Sequence, residues 1–338
     1  MASPPPLPQL TVALSVYNNA PHLDRAIASI RTQTFSDFEF LIVNDGSTDE
    51  SGAIIDGHAA QDPRVRVIHQ ANQGLVASLN RLVAEARAPL VARMDGDDIA
   101  LPDRFERQMA FLAAHPDHGV LGTRILFIDD DDVIQTRMPL DHPLDWRGIE
   151  AALLYDAPLC HPSVIMRRDL VRSVGGYRAA FRHCEDHDLW LRLGGVTRMA
   201  TLPDRLLHYR LSSSQVSNRH ILEQRYGAVL ARAAYRARQA GRADPLDGRD
   251  ALPSIDEVDA LFEEPGLARA TRAELVAALL YAPAALANEG MAFLQEHLRE
   301  TRRDARDRVT GLWRAVARVA RSGQPAAAAR IALALTRS

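Results

Sequence analysis

Asp95-Gly96-Asp97-Asp98 is the stretch whose residue types point most directly to chemistry. Three carboxylates in four residues repel one another unless water or a cation neutralises them. A hard divalent ion, Mg2+ or Mn2+, takes such oxygen ligands and keeps places for water and phosphate oxygens. The competing reading is an acidic turn that caps the next helix. Two other polar groups, Ser15-Val16-Tyr17-Asn18 and Asn44-Asp45-Gly46-Ser47, also end apolar runs. If those runs are strands, three strand ends deliver polar residues to one sheet edge, where open α/β sheets bind ligands. There Asp45 is a candidate for holding a nucleoside and Tyr17 for packing against a base. Taken singly, each reads as a turn or structural residue.

The elements needed to position these groups are legible. Apolar runs at Leu10 to Val16, Phe38 to Val43, Val65 to Ile68 and Leu90 to Met94 alternate with helix-period segments, the pattern of β-α-β units. A helix opens near Pro21 with Leu23, Ile27 and Ile30 on one face. Ser47-Thr48-Asp49-Glu50 has capping-box spacing, so another should start there. Leu75, Leu79, Leu82, Val83 and Ala86 form a third stripe, and Pro102 restarts a helix with Phe105, Met109 and Leu112 inward. Beyond these, Val120 to Ile128 and Val133 to Arg137 read as a hairpin around a solvated turn, Asp129 to Asp132. Ser163 to Met166 and Leu206 to Leu211 read as short strands, with a helix from about Glu185 to Leu193 between them. Strand signals end near residue 221 and an Ala/Arg-rich helical region follows. The expected organisation is a disordered proline-rich tail over 1–8, a mostly parallel α/β domain over 9–220 and an α-helical domain over 221–338, with links around 241–254 and 263–267.

Composition limits the function classes. The 338 residues carry a formal charge of −3, which does not favour a nucleic-acid partner, and all 40 basic residues are arginine. Cys160 and Cys184 are too few for a disulfide framework, and no apolar run reaches the ~20 residues of a membrane span. No secretory leader is recognisable, so a cytoplasmic location is expected.

The ordered motifs resemble glycosyltransferase family 2 on the GT-A fold. They are Leu14-Ser15-Val16-Tyr17-Asn18, then Val43-Asn44-Asp45-Gly46-Ser47-Thr48-Asp49, then Asn72-Gln73-Gly74 with Asn80. Ala92-Arg93-Met94-Asp95-Gly96-Asp97-Asp98 follows, and Glu185-Asp186-His187-Asp188-Leu189-Trp190-Leu191-Arg192 matches the family's ED motif. The resemblance covers roughly residues 9 to 217. It implies a nucleotide-sugar donor, most often UDP-linked, bound by Ser15, Tyr17, Asn18, Asp45, Asn80, Arg93 and Asp95. Asp45 would hold the uracil or ribose, and Asp95 would lie against ribose and metal. Asp97 would be the ligand to Mn2+ or Mg2+ at the diphosphate. Asp186 would be the general base, with inversion at the anomeric carbon, and Glu185 and Arg192 would support that helix end and the acceptor. A helix N-terminus would keep Asp186 ionised.

Two departures stand out. Ser15 replaces a common proline, and Ser212, in Tyr209-Arg210-Leu211-Ser212, stands where many members carry histidine. His208 could substitute only if its strand is irregular, because regular alternation puts it on the other side from Tyr209. His161, before a short strand, is expected to line the acceptor cleft. His161, His183 and His187 lie near the cysteines but lack tight zinc-ligand spacing. Leu298 to Arg321 carries eight arginines against three acids, with Val309, Leu312, Trp313, Val316 and Val319 on one face. It reads either as a packed helix or as an interfacial one meeting anionic lipid.

These features imply an inverting transferase that moves sugar from a UDP-sugar to a glycan or lipid-linked acceptor in bacterial surface polysaccharide assembly. The rivals are a metal-dependent nucleotidyltransferase and a non-catalytic nucleotide-sugar-binding protein. The first has no need of Asp186. The acids at 95, 97 and 186 argue against the second.

Overall fold

A computed structural model describes residues 7–136, 141–211, 220–279 and 325–337, together with a few single positions between 293 and 321. The tail over 1–6, Arg137, Ser212 and most of the 298–321 helix fall outside the described residues. Contacts divide the chain into two units, Met1–Ala179 with Glu185–Ser212, and Ala180–Cys184 with Ser213–Ser338.

The first unit is built on an eight-stranded sheet. Its strands are β1 (Leu10–Val16), β2 (Phe38–Asp45), β3 (Val65–Gln70), β4 (Leu90–Met94), β5 (Ile99–Ala100), β6 (His118–Ile128), β7 (Ile165–Arg167) and β8 (Arg198–Arg210). Their order is β3-β2-β1-β4-β7-β6-β8-β5. The first four in this order pair in parallel, as do β6 and β8. Strand β7 is antiparallel to both β4 and β6, and β5 to β8, so the sheet is mixed, with four of its seven pairings parallel as expected of a mostly parallel sheet.

Every residue of β2 is buried, as expected for a parallel strand covered on both faces. The helices α1 (Ala20–Arg31), α2 (Ser51–Gln61), α3 (Leu75–Glu85) and α4 (Arg104–Ala114) complete the β-α-β half, and α5 (Trp146–Leu153), α6 (Arg168–Ser173) and α7 (Glu185–Leu193) complete the unit. Leu23, Ala26, Ile27 and Ile30 of α1 join Val12, Leu14, Phe40 and Ile42 in one core. At about 25 cal/mol per Å2 of apolar area removed from water, such burial is the main stabilising term.

Three expectations are corrected. Helix α2 begins at Ser51 without the expected capping box: Asp49 accepts from the Ser51 amide at 3.0 Å, and Ser47 and Asp49 also reach the residues after β1. The Ser47 hydroxyl accepts from the Asn18 amide at 3.1 Å, and the Asp49 carboxylate from the Ala20 amide at 3.1 Å. The hairpin after β6 reduces to a single antiparallel bridge, Ile128 to Ile134, since β8 takes the ladder of β6. The segment at 163 is a 3-10 turn, His161–Ser163, that leads into β7.

The second unit is helical where described: α8 (Ile221–Gln239), α9 (Val258–Phe262), α10 (Leu267–Leu279) and α11 (Pro325–Arg337). Leu230, Ala233, Ala234 and Ala237 of α8 are buried, as are Leu275, Val276 and Leu279 of α10. Gly227 is required here, because a Cβ would meet the Cys184 sulfur at 2.1 Å.

Candidate active site

The first two strand ends are tied to each other and to the loop after β3. Gly46 has φ +75°, and a Cβ on it would lie 2.7 Å from the Asn72 amide, so only glycine lets the loops close. Asp45 is 2% exposed. One of its oxygens accepts from the Gln73 amide at 2.9 Å and from Gln70 Nε2 at 2.7 Å, the other from the Gly74 amide at 2.8 Å. Asp45 therefore fastens the Gln70–Gly74 loop to β2. Asn18 adopts φ 54°, which asparagine tolerates, and its side-chain Oδ1 accepts from the Thr48 amide at 2.8 Å. Ser15 is half-buried, and Tyr17 is 52% exposed at the rim.

The acidic loop joins β4 to β5. The donor oxygens of Asp95, Asp97 and Asp98 lie within 4.8 Å of one another. Burial, and then the Asp95 charge, push the Asp97 carboxyl up to about 6. The same causes hold Asp98 well above the usual carboxylate range. Asp98 accepts from the Arg210 amide at 2.9 Å, while its Oδ2 is buried with no hydrogen-bond partner. This surplus of mutually repelling, desolvated carboxylate oxygen fits a divalent cation. Gly96 lets Asn19 approach, since a Cβ would press on its side chain at 3.2 Å.

Two arginines manage the charge. Arg93 of β4 is 5% exposed and ion-paired with Asp95. Burial alone would lower its pKa, but the Asp95 charge outweighs that and holds the guanidinium protonated. Arg210, at the end of β8, is fully buried and donates from Nε to the Asp97 carbonyl at 2.8 Å. It also bonds the Asp129 carbonyl and the Asp132 carboxylate, and Arg25 pairs with Asp132. The acidic run is thus not simply solvated, because Asp132 anchors Arg210. Strand β8 runs in regular register from Leu207 to Arg210, and its hydrogen bonds to Asp97 and Asp98 make Arg210 the cation it brings to the acidic loop.

Helix α7 carries the ED motif. Glu185 is 6% exposed with a buried, unpartnered Oε2. Burial, and then the Asp186 charge, push it up to about 7. Asp186 accepts from the His187 amide at 2.7 Å, and burial raises its pKa against the pull of His187 and Arg93. Burial thus works against the ionisation that the helix start favours. Asp188 is fully buried between Arg178 and Arg192, the latter 2.8 Å away, so Arg192 supports Asp188 rather than facing an acceptor.

Asn80 and His161 both meet Tyr177. Asn80 donates to the Tyr177 carbonyl at 2.7 Å and accepts the Tyr177 amide at 2.8 Å, so both ends of its amide clamp one residue. His161 is 7% exposed, shares a 2.8 Å hydrogen bond with the Tyr177 hydroxyl and packs edge-on against Trp190. It is packed inside the wall of the site rather than open to a cleft, and burial holds its pKa well below the ordinary value.

The structure thus gathers Arg93, Asp95, Asp97 and Asp98 and links them electrically to Glu185 and Asp186. Sequence reasoning missed Tyr177, Asp132 and Arg210. Only Arg210 left a signal, as the charged residue of the Tyr209-Arg210-Leu211-Ser212 segment. Such a site can hold a polyanion and a cation beside a carboxylate whose pKa is raised.

A model of Glycosyl transferase family 2 matches residues 11–175. The Bacillus subtilis protein EpsE is 36% identical over 189 residues, 55% of this chain and 66% of that protein. The amylovoran biosynthesis glycosyltransferase AmsE of Erwinia amylovora is 33% identical over 214 residues, 62% of this chain and 79% of AmsE. Among solved structures, S. aureus TarS 1-349 in complex with UDP-GlcNAc superposes with a TM-score of 0.54 at 16% identity, covering 82% of this chain and 83% of that one. The mannosyltransferase PcManGT from Pyrobaculum calidifontis, in complex with GDP-Man and Mn2+, gives 0.52 at 18% identity over 97% and 86%. At those identities the likeness shows the fold.

Proposed function

The chain belongs to glycosyl transferase family 2, and on that premise we propose that it moves a sugar from a UDP-linked donor to an acceptor hydroxyl with inversion at the anomeric carbon. The observation that carries this reading is the desolvated acidic loop at Asp95–Asp98 joined through Arg93 to the Glu185–Asp186 pair. A pocket for phosphate alone would need only the first half of that arrangement. Nucleotide sugars bound to TarS and PcManGT support the donor class.

Asp97, with Asp95 beside it, would hold Mn2+ or Mg2+ against the diphosphate, and the cation supplies positive charge to the leaving group. Tyr17 and Ser15 face the base, with Asn18, Asp45 and Asn80 positioning the loops around the donor. Asp186 takes the proton of the acceptor hydroxyl as its oxygen bonds to the anomeric carbon and the bond to the diphosphate breaks. Arg93 keeps Asp186 ionised enough to do so, and Glu185 shares its buried environment. Arg210 adds a second fixed cation beneath the acidic loop, in a sequence with Ser212 where relatives carry histidine.

The names of AmsE and of the O-antigen biosynthesis glycosyltransferase WbnJ of Escherichia coli support a cell-surface glycan or its lipid-linked precursor as acceptor. No described helix is long and apolar enough to cross a membrane. The segment 298–321 is the proposed peripheral contact on the cytoplasmic face. Removing it should abolish salt-sensitive co-sedimentation with anionic vesicles, and equal sedimentation of both chains would reject that contact.

The function itself is tested by thermal shift with a panel of nucleotide sugars, with and without Mn2+. A UDP-sugar bound at 100 times its Kd stabilises by about 2.7 kcal/mol. A metal-dependent rise with UDP-sugars is expected, and no rise with any nucleotide sugar would reject the reading.

A further inference from the structure

Away from the acidic loop, the second unit gathers another set of ligand-type side chains. His183, His220 and Glu223 each place one donor atom within 4.8 Å of the other two. His220 immediately precedes α8, and Glu223 lies in its first turn, so the pair sits on one side of that helix start. His183 reaches the same place from residues 180–184, the stretch that groups with this unit.

The distances are informative. Glu223 Oε2 lies 3.5 Å from His183 Nε2 and 3.4 Å from His220 Nδ1. Both separations are long for an N–H···O bond, whose usual range ends at about 3.2 Å. They match the edge of a tetrahedron around zinc: with ligands at 2.0–2.1 Å, neighbouring donors stand about 3.3 Å apart. The imidazole rings stack at 4.1 Å with 19° between planes. A metal lies in the plane of a ligating imidazole, so one ring must turn about its Cβ–Cγ bond for both nitrogens to meet one ion. Burial, with the charge of His220 next, holds His183 below its ordinary pKa. Neutral imidazole is the form that binds metal.

The backbone adds an independent sign. His183 has φ 65°, a left-handed conformation that a non-glycine residue adopts at a cost of about 1 kcal/mol or more. Strain of this kind persists where the surroundings reward it.

We propose that His183, His220 and Glu223 form a binding site for a borderline divalent cation of the zinc class, separate from the Asp95–Asp98 loop. Two imidazoles and one carboxylate are a ligand set for Zn2+ rather than for Mg2+ or Ca2+, which prefer all-oxygen shells. Three protein ligands leave the fourth position to water. The Glu223 side chain is 63% exposed, so an ion can enter from solvent. The cysteines take no part: Cys184 packs on Gly227, and Cys160 belongs to the other unit. Occupancy would pin residues 180–184 to the start of α8, and His183 stands two residues before Glu185 in the chain. The site does not depend on the transferase reading.

The test uses Co2+ as a spectroscopic probe on the full-length protein after chelator treatment. One equivalent of Co2+ should give the intense visible absorption of a tetrahedral or five-coordinate ion, and Zn2+ should displace it. His183→Ala and His220→Ala should each weaken that binding by about tenfold or more, as loss of even outer-shell support can. Glu223→Gln, on a solvent-facing side chain, should do the same while leaving the circular dichroism spectrum unchanged. Asp97→Asn should leave the absorption intact. The proposal is overturned if Co2+ shows only weak octahedral absorption, if Glu223→Gln binds like the parent protein, or if Asp97→Asn removes the signal.

Discussion

Arg210 donates its Nε hydrogen to the Asp97 carbonyl at 2.8 Å, while its backbone amide donates to the Asp98 carboxylate at 2.9 Å. One residue of β8 thus holds consecutive residues of the acidic loop, one by its backbone and the other by its side chain. The remaining guanidinium donors go to Asp129 and Asp132. Replacing Arg210 with leucine keeps the amide that meets Asp98 but removes the cation beside Asp97 and Asp132. Breaking a buried ion pair from one side costs about 3–5 kcal/mol. Urea unfolding of Arg210→Leu should show a loss on that scale, and UDP affinity in Mn2+ should fall with it. An unchanged unfolding midpoint would show that the loop stands without this clasp.

The Asp97 carboxyl, pushed up to about 6 by burial and by Asp95, carries a linkage consequence. Its folded pKa lies above the unfolded value of about 3.9. The proton-bound form therefore stabilises the metal-free fold below pH 4, and that contribution is lost as pH rises through about 6. Asp97→Asn, which resembles the protonated form, should raise the Tm of metal-free protein at pH 8 and change it little at pH 4. Metal binding runs the other way, since the ligand must be ionised, and Mn2+-dependent UDP binding should fade below pH 6. Calorimetry with UDP and Mn2+ at pH 8 should find this affinity gone in Asp97→Ala. A Tm gain equal at both pH values would remove Asp97 as the titrating group.

The parallel half of the sheet could be read residue by residue, because buried strands and helical stripes write their periods into the sequence. The runs at Leu10 and Phe38 needed no tertiary information. What escaped was set by partners distant in the chain. Strand β7 has three residues and no period, and its direction follows from where β4 and β6 leave room. Asp45 and Asn80 were recognised as functional by motif, yet a motif does not tell whether a polar group faces ligand or a neighbouring loop. Asp45 is satisfied by Gln70, Gln73 and Gly74, and Asn80 by Tyr177, 97 residues away. The desolvation that governs Asp186 is likewise a property of packing, which its helix-start position could not reveal.

Asn80 gives a direct test of positioning against binding. Its amide answers both the N–H and the C=O of Tyr177, whose hydroxyl in turn meets His161. Asn80→Ala strips both partners at once. An unsatisfied buried group costs about 1–3 kcal/mol, so the variant should lose stability on that scale in urea unfolding. UDP affinity measured well below the melting range should stay near that of the parent. A large loss of UDP affinity with little loss of stability would return Asn80 to the donor itself.

Asp186 is the carboxylate on which the proposed reaction turns, and its substitution separates chemistry from binding. Asp186→Asn keeps the size of the side chain and an oxygen for the His187 amide, but the amide cannot accept the acceptor's proton usefully. Turnover should fall by about 10²-fold or more, the scale of general-base loss, while UDP affinity remains near the parent value. The pH profile adds a second readout. A general base works when ionised, so activity should decline as pH falls through the pKa of Asp186, which burial has raised. Glu185, at about 7, feels the Asp186 charge, and that interaction is reciprocal. Glu185→Gln removes one of the two charges, so the acidic limb of the profile should move to lower pH. A profile that stays in place in Glu185→Gln would uncouple the pair. An Asp186→Asn enzyme that keeps most of its turnover would hand the base to another group, and Asp188, locked between Arg178 and Arg192, is not free to take the part.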